Sequence, residues 1–241
     1  MQPHASPFAP YWWGTSLEVA GLEAARPDLG TYGRYAYDQL PELPFELRGT
    51  FDWLAQGRRH VDHIASGAPP EFEATLAALL RACRALKLRL PASYTTFIGS
   101  PQLHERMRSN TDCFLDACPA PIPSPRGGGH LIRFLVDSQE VLSWYLYLPA
   151  EGADHAVVAS PDFYGTEDEQ LLDEDEPTPD PGVLVFCAES FEAFMARYWL
   201  ENEIWFAGFE KTPMPERGVA YIEEYKRKHE EDRQKSQKTG K

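Results

Sequence analysis

The chain has 241 residues and a formal charge of −14, from 23 Lys and Arg against 37 Asp and Glu. That balance argues against sequence-independent binding to nucleic acid, where Lys and Arg must replace counterions around phosphates. It argues equally against an anionic membrane surface and favours a basic partner by long-range steering. Hydrophobic residues are 43% of the chain and aromatic residues 12%, a globular and not a disordered composition. No window reaches the roughly 18 apolar residues of a membrane span. The opening MQPHASPFAPYWWG lacks the basic stretch and apolar core of a secretory signal. Cys83, Cys113, Cys118 and Cys187 lie scattered, in neither CxxC nor zinc-knuckle spacing. A cytoplasmic setting is the simplest expectation.

Residues 1–68 read as an aromatic, Pro-punctuated N-terminal extension, with Phe8, Tyr11, Trp12, Trp13, Tyr32, Tyr35, Tyr37, Phe45, Phe51 and Trp53. Such a load predicts packing onto the main body or a small subdomain, and the sequence does not choose. Residues 69–209 read as the main domain. Phe72, Leu76, Leu79, Leu80, Cys83 and Leu86 make one apolar stripe, predicting a helix that begins near Glu71. Arg81, Arg84 and Lys87 complement the dipole at its end. Pro91 predicts a break near Leu90, and a short helix follows over Ala92–Ile98.

From Thr111 to Gly129 the composition is that of a loop. Strands are then predicted over Leu131–Val136, Val141–Leu148 and His155–Ala159, the close succession implying antiparallel pairing. In the second, Leu142, Trp144, Leu146 and Leu148 share one face, and Val141, Ser143, Tyr145 and Tyr147 the other. Alternation does not say which face is inside. Gly182–Cys187, continuously apolar, predicts a central strand buried on both faces. Ser190 is a good N-cap for a helix carrying Phe191, Phe194, Met195, Tyr198, Trp199 and Asn202. Residues 210–241 form a charged tail, with a helix predicted over Tyr221–Asp232 and the last nine or so residues expected to be disordered.

Candidate chemistry is sparse. His60-Val61-Asp62-His63 would place two His on one face of a helix, but a catalytic metal needs a third ligand and a supporting shell. Gly127-Gly128-Gly129 precedes a strand, the wrong order for cradling phosphate. No GxSxG occurs, and Arg133 stands inside an apolar strand, where an edge position or an internal ion pair explains it. Neither a cofactor nor a metal is expected, and no catalytic residue is nominated. The densest feature is the acidic run EDEQLLDEDEPTPD, an exposed loop by its self-repulsion and its prolines.

Several stretches between Phe72 and Phe206 together resemble the SMI1/KNR4 family, the SUKH superfamily. An amphipathic helix is followed by Leu90-Pro91-Ala92-Ser93-Tyr94-Thr95-Thr96-Phe97-Ile98, similar to the family's LPxxYxxFL opening. The strand Trp144-Tyr145-Leu146-Tyr147-Leu148 follows, then Gly182-Val183-Leu184-Val185-Phe186-Cys187 leading into Ser190-Phe191-Glu192-Ala193-Phe194. Where the family often has Asn-Gly, this chain reads Gly99-Ser100-Pro101-Gln102. The resemblance implies an α+β fold, a mainly antiparallel sheet with packed helices. It also implies a non-enzymatic binding protein: an immunity protein neutralising a toxin, or a regulatory scaffold. With a charge of −14, the expected mechanism is steric and electrostatic occlusion of a basic protein partner. The expected contacts are Glu167, Asp168, Glu169, Asp173, Glu174, Asp175 and Glu176, with Tyr145 and Tyr147 as exposed aromatics. Two alternatives are an enzyme built from scattered residues, His60, Asp62, His63 and His130 first, and a structural subunit docking through its N-terminal aromatics.

Overall fold

The computed structural model describes residues 6–15, 17, 27–29, 31–150, 154–166 and 179–239. The stripe predicted from Glu71 becomes α2 (Phe72–Ala85), after a single turn α1 (Asp52–Ala55). Helix α2 ends in a Schellman arrangement. Leu88 N–H reaches the Cys83 carbonyl at 2.9 Å and Lys87 N–H the Arg84 carbonyl at 3.1 Å, with Lys87 at φ 56°. Pro91 then starts a new helix, α3 (Ala92–Ile98), and α4 (Pro101–His104) follows.

The strands are β1 (Ala9–Thr15), β2 (Pro27–Leu29), β3 (Tyr32–Ala36), β4 (Phe114–Leu115), β5 (Ile122–Pro123), β6 (His130–Val136), β7 (Ser143–Leu148), β8 (Ala156–Ser160) and β9 (Val185–Ala188). They form one sheet in the order β2-β3-β1-β9-β8-β7-β6-β4, with β5 also on β6. Every pairing is antiparallel except β1 with β9, which is parallel through Ala9 opposite Val185 and Pro10 opposite Phe186. The fold is α+β. Helix α5 (Phe191–Glu210) crosses one face of the sheet, and α6 (Glu216–Thr239) follows it. No helix among the described residues is long and apolar enough to cross a membrane.

The N-terminal aromatics are core. Trp12 is 1% exposed, and Tyr32 and Phe51 are equally buried. Tyr32 OH donates to Asp137 Oδ2 at 2.6 Å, tying β3 to the turn after β6. The predicted strand at 182–187 starts later, because Pro181–Val183 form a 3-10 turn closed by Asp180, whose carboxylate accepts Gly182 N–H. Beyond it all of β9 is buried, as expected of a central strand. Helix α6 begins before and ends after the predicted Tyr221–Asp232 and runs to Thr239, so residues up to 239 expected to be disordered are helical. Tyr221, Ile222 and Tyr225 pack on Leu17, Leu200 and Ile204.

One expectation fails outright. Tyr145 and Tyr147 are not exposed, and neither face of β7 is, because every residue of that strand is buried. Trp144 lies against Phe194 and Tyr198 of α5. On the opposite face, Tyr145 meets Tyr164, and Tyr147 meets Phe8 edge-on at 5.0 Å. The segments around 161–166 and 6–8 cover the face that alternation alone leaves free. In β6 a bulge between Arg133 and Leu135 frees Phe134 from the ladder. It turns toward α5, meeting Phe191 at 5.0 Å and Phe194 at 5.5 Å.

Candidate protein-binding surface

Helix α5 organises the molecule, and its two halves are held differently. Ser190 Oγ accepts Ala193 N–H at 3.1 Å, the N-cap that the sequence predicts. Phe191 N–H, also free of the helix ladder, donates to His155 Nε2 at 3.0 Å. That bond needs a neutral imidazole acceptor, and burial lowers the His155 pKa. Glu192, in the first turn, takes N–H bonds from Gly49, Phe51 and the Trp53 indole, fixing the loop before α1.

One turn further on, Arg197 donates to Tyr221 OH at 2.7 Å and to the Pro41 carbonyl at 3.0 Å. Tyr221 OH in turn donates to Glu201 Oε1 at 2.7 Å, and Trp12 Nε1 to Glu201 Oε2 at 2.8 Å. Burial raises the Glu201 carboxyl pKa, and Arg197 and the two donors oppose that shift. This network joins β1, α5, α6 and the loop at Pro41. Gly14 is required beside it: a Cβ there would stand 2.7 Å from Glu201 Oε2 and 2.6 Å from Trp12 Nε1.

The second half keeps Asn202, Ile204 and Ala207 buried and turns its other side chains toward the surface. Asn202 Oδ1 accepts Asn110 N–H at 2.7 Å. Glu203 accepts from Arg108 Nε at 3.1 Å, and Arg108 Nη1 reaches Glu210 at 2.7 Å. The Arg108 guanidinium lies 3.7 Å over the Phe206 ring. Phe206 meets Trp205 edge-on at 5.1 Å, and Trp205 stacks on Phe209 at 4.8 Å and 15°. Phe209 is 65% exposed, and Trp205 and Phe206 are half-buried. An aromatic trio, braced by a doubly paired arginine, thus reaches the surface with Phe209 as its exposed edge.

The other predicted site residues lie elsewhere. Glu167, Asp168, Glu169, Asp173, Glu174, Asp175 and Glu176 are outside the described residues. His60, Asp62 and His63 sit in a loop, not a helix, so their spacing sets no common face. His60 Nε2 is 3.6 Å from Glu203, and burial with nearby Arg108 and Arg58 pushes its pKa down to about 4. His63 Nδ1 accepts Ala65 N–H, and His130 starts β6. Among the described residues no group of three His, Cys, Asp or Glu is placed to hold a metal. Arg133 is 4% exposed and paired internally with Asp116.

Among the described residues the clefts include one of about 320 Å³ and one of about 310 Å³. Glu192 lines the first and Arg133 the second, and both groups already serve internal partners. Sequence reasoning missed Trp205, Phe206 and Phe209. Their signal is that α5 carries apolar residues on every side, more than one sheet face covers. In comparisons with protein-family models, curated proteins and solved structures, nothing matched the chain.

Proposed function

We propose that this chain is a non-enzymatic protein-binding module of SMI1/KNR4 type, working in the cytoplasm as an immunity protein against a toxin or as a regulatory scaffold. It covers a basic surface of its partner and so blocks it. The observation that carries this reading is the trio Trp205, Phe206 and Phe209, stacked at the outer end of α5 with Phe209 65% exposed. Trp, aromatic and Arg side chains supply most hot spots of protein interfaces, because they bring large rigid area at little entropic cost. The neighbouring Arg108 is held by Glu203 and Glu210, so the patch is ordered before a partner arrives. The charge of −14 adds the second element, steering toward a basic protein and raising the association rate more than the affinity. The acidic residues Glu167–Glu169 and Asp173–Glu176 supply the charge contacts.

The test is capture from lysate of the source organism at low salt, with wild type beside Trp205→Ala/Phe209→Ala. A basic protein held by wild type, released by salt and lost with the double variant supports the reading. Capture unchanged by that variant removes the trio from it. A catalytic turnover found for the purified chain replaces the reading altogether.

A further inference from the structure

Glu192 is 3% exposed and carries its charge into the fold on hydrogen bonds from neutral groups. Oε1 accepts Phe51 N–H at 3.0 Å and the Trp53 indole N–H at 3.1 Å, and Oε2 accepts Gly49 N–H. The loop is bent to deliver them, with Gly49 at φ 78° and Phe51 at φ 58°. A carboxylate offers about four acceptor positions, so three donors leave one open, and neutral donors leave the negative charge uncancelled. Among the described residues neither Glu192 nor Asp52 makes an ion pair.

The cleft of about 320 Å³ that Glu192 lines is at the small end of ligand pockets, which run from roughly 300 to 1,000 Å³. Phe45 and Trp53 give it an aromatic wall, stacked with ring centroids 5.3 Å apart and planes at 21°. The charges around it do not balance. Arg48 is paired with Glu46. Arg217 donates to the Trp53 carbonyl at 3.0 Å and lies 5.1 Å from the Phe45 ring centroid. Asp52 and Glu192 both line the cleft against Arg217 alone, so one negative charge is left over. Arg217 also shows what this wall accepts, a guanidinium over a ring face.

We infer that this cleft receives an arginine side chain from a partner, its guanidinium stacked on the Phe45–Trp53 wall and donating to Glu192 and Asp52. Two guanidinium groups then face two carboxylates. A guanidinium is planar and weakly hydrated, so it enters a partly buried aromatic site at less cost than an ammonium, which is compact and strongly hydrated. The net charge of −14 steers a basic protein toward the chain, and the cleft gives it one specific contact. Only the source of the arginine rests on the reading above; the cleft and the chemistry of its ligand rest neither on that reading nor on the aromatic trio.

The probe is N-acetyl-arginine amide, whose two ends are neutral, titrated at low salt into the full isotope-labelled chain and followed by NMR. The citrulline derivative is its uncharged isostere and the lysine derivative its ammonium counterpart. The N–H resonances of Gly49, Phe51 and the Trp53 indole all belong to donors on Glu192 and report on that carboxylate. The expected result is a saturable shift of these three with the arginine derivative and binding of the citrulline derivative at least about tenfold weaker, as losing a charge-assisted hydrogen bond implies. Glu192→Gln keeps the shape and removes the charge, and it is expected to lose the preference for arginine over citrulline. A circular-dichroism melt shows whether that variant folds; where it does not, the arginine and citrulline comparison in the wild type decides alone. Three unmoved resonances overturn the inference, and so does a citrulline or lysine derivative that binds as tightly as arginine. Partner capture is scored separately. Binding of the arginine derivative without capture of any basic protein upholds the cleft and removes the partner, while capture with the three resonances unmoved by the derivative removes the cleft and keeps the partner.

Discussion

The two halves of α5 carry similar residues and live in different surroundings. From Phe191 to Glu201 almost every side chain is buried, and its charged groups are matched within the fold: Glu192 by three N–H groups, Arg197 by Tyr221 and Pro41, Glu201 by Trp12 and Tyr221. From Glu203 to Glu210 the helix is still aromatic, but Trp205 and Phe206 are half-buried and Phe209 is exposed, and one arginine lies over the Phe206 ring. The difference separates two uses of the same chemistry. Aromatic area that the fold covers stabilises it. Aromatic area that the fold leaves open and ordered contributes little to stability and is available to a partner.

That contrast is open to attack at both ends, and the largest effect belongs to the buried half. Arg197→Ala removes the cation that favours the buried Glu201 carboxylate through the shared Tyr221 hydroxyl, and leaves that hydroxyl and the Pro41 carbonyl without their donor. It is expected to cost about 3–5 kcal/mol of folding stability, as removing one charge of a buried network does, measured by urea unfolding. A loss below about 1 kcal/mol would mean that water reaches this network and that the first half is less sealed than described.

Acid is the next lever. His104, 5% exposed and bonded through Nε2 to the Phe97 carbonyl, has its pKa pushed down to about 4, chiefly by burial. The unfolded chain takes up that proton near pH 6.5 and the folded chain only near pH 4. The stabilisation is therefore complete above about pH 6.5 and is lost as the pH falls toward 4, by about 3 kcal/mol in all. The His155 bond to Phe191 N–H acts in the same direction, since protonation removes the acceptor. His104→Gln is expected to flatten the slope between pH 6.5 and 4, read from urea midpoints at each pH. An unchanged slope would assign acid sensitivity elsewhere.

The smallest effect tests the backbone. Lys87 holds φ 56° at the end of α2, a conformation in which glycine carries no Cβ penalty. Lys87→Gly is expected to raise stability by up to about 1 kcal/mol, seen as a higher melting temperature. A drop would show that the Lys87 side chain makes contacts that matter more than its backbone strain.

What was legible in the sequence follows the range of the interactions. Helix α3 falls where Pro91 and the apolar spacing put it, and Ser190 caps α5 as its residue type predicts, because both depend on neighbours a few residues away. The pairing of β1 with β9 joins residues about 175 positions apart, and no local pattern announces it. For the same reason Tyr145 and Tyr147 were misplaced. Alternation divides a strand into two faces, but α5 covers the Trp144 face and the segments around Phe8 and Tyr164 cover the other. The spacing of His60 and His63 suggested a shared face only on the assumption of a helix that the loop does not form. The trio at 205–209 was visible as aromatic excess, yet only the packed fold shows which side of α5 remains uncovered.

The most direct test compares the two halves in one experiment. Phe194→Ala and Trp205→Ala/Phe209→Ala are made in the full chain, and each is measured for unfolding free energy and for capture of the partner. The account predicts that Phe194→Ala costs about 3–5 kcal/mol in stability, while the double variant stays within about 1 kcal/mol of wild type and loses capture. A double variant that unfolds as readily as Phe194→Ala, or one that captures the partner as wild type does, would contradict it.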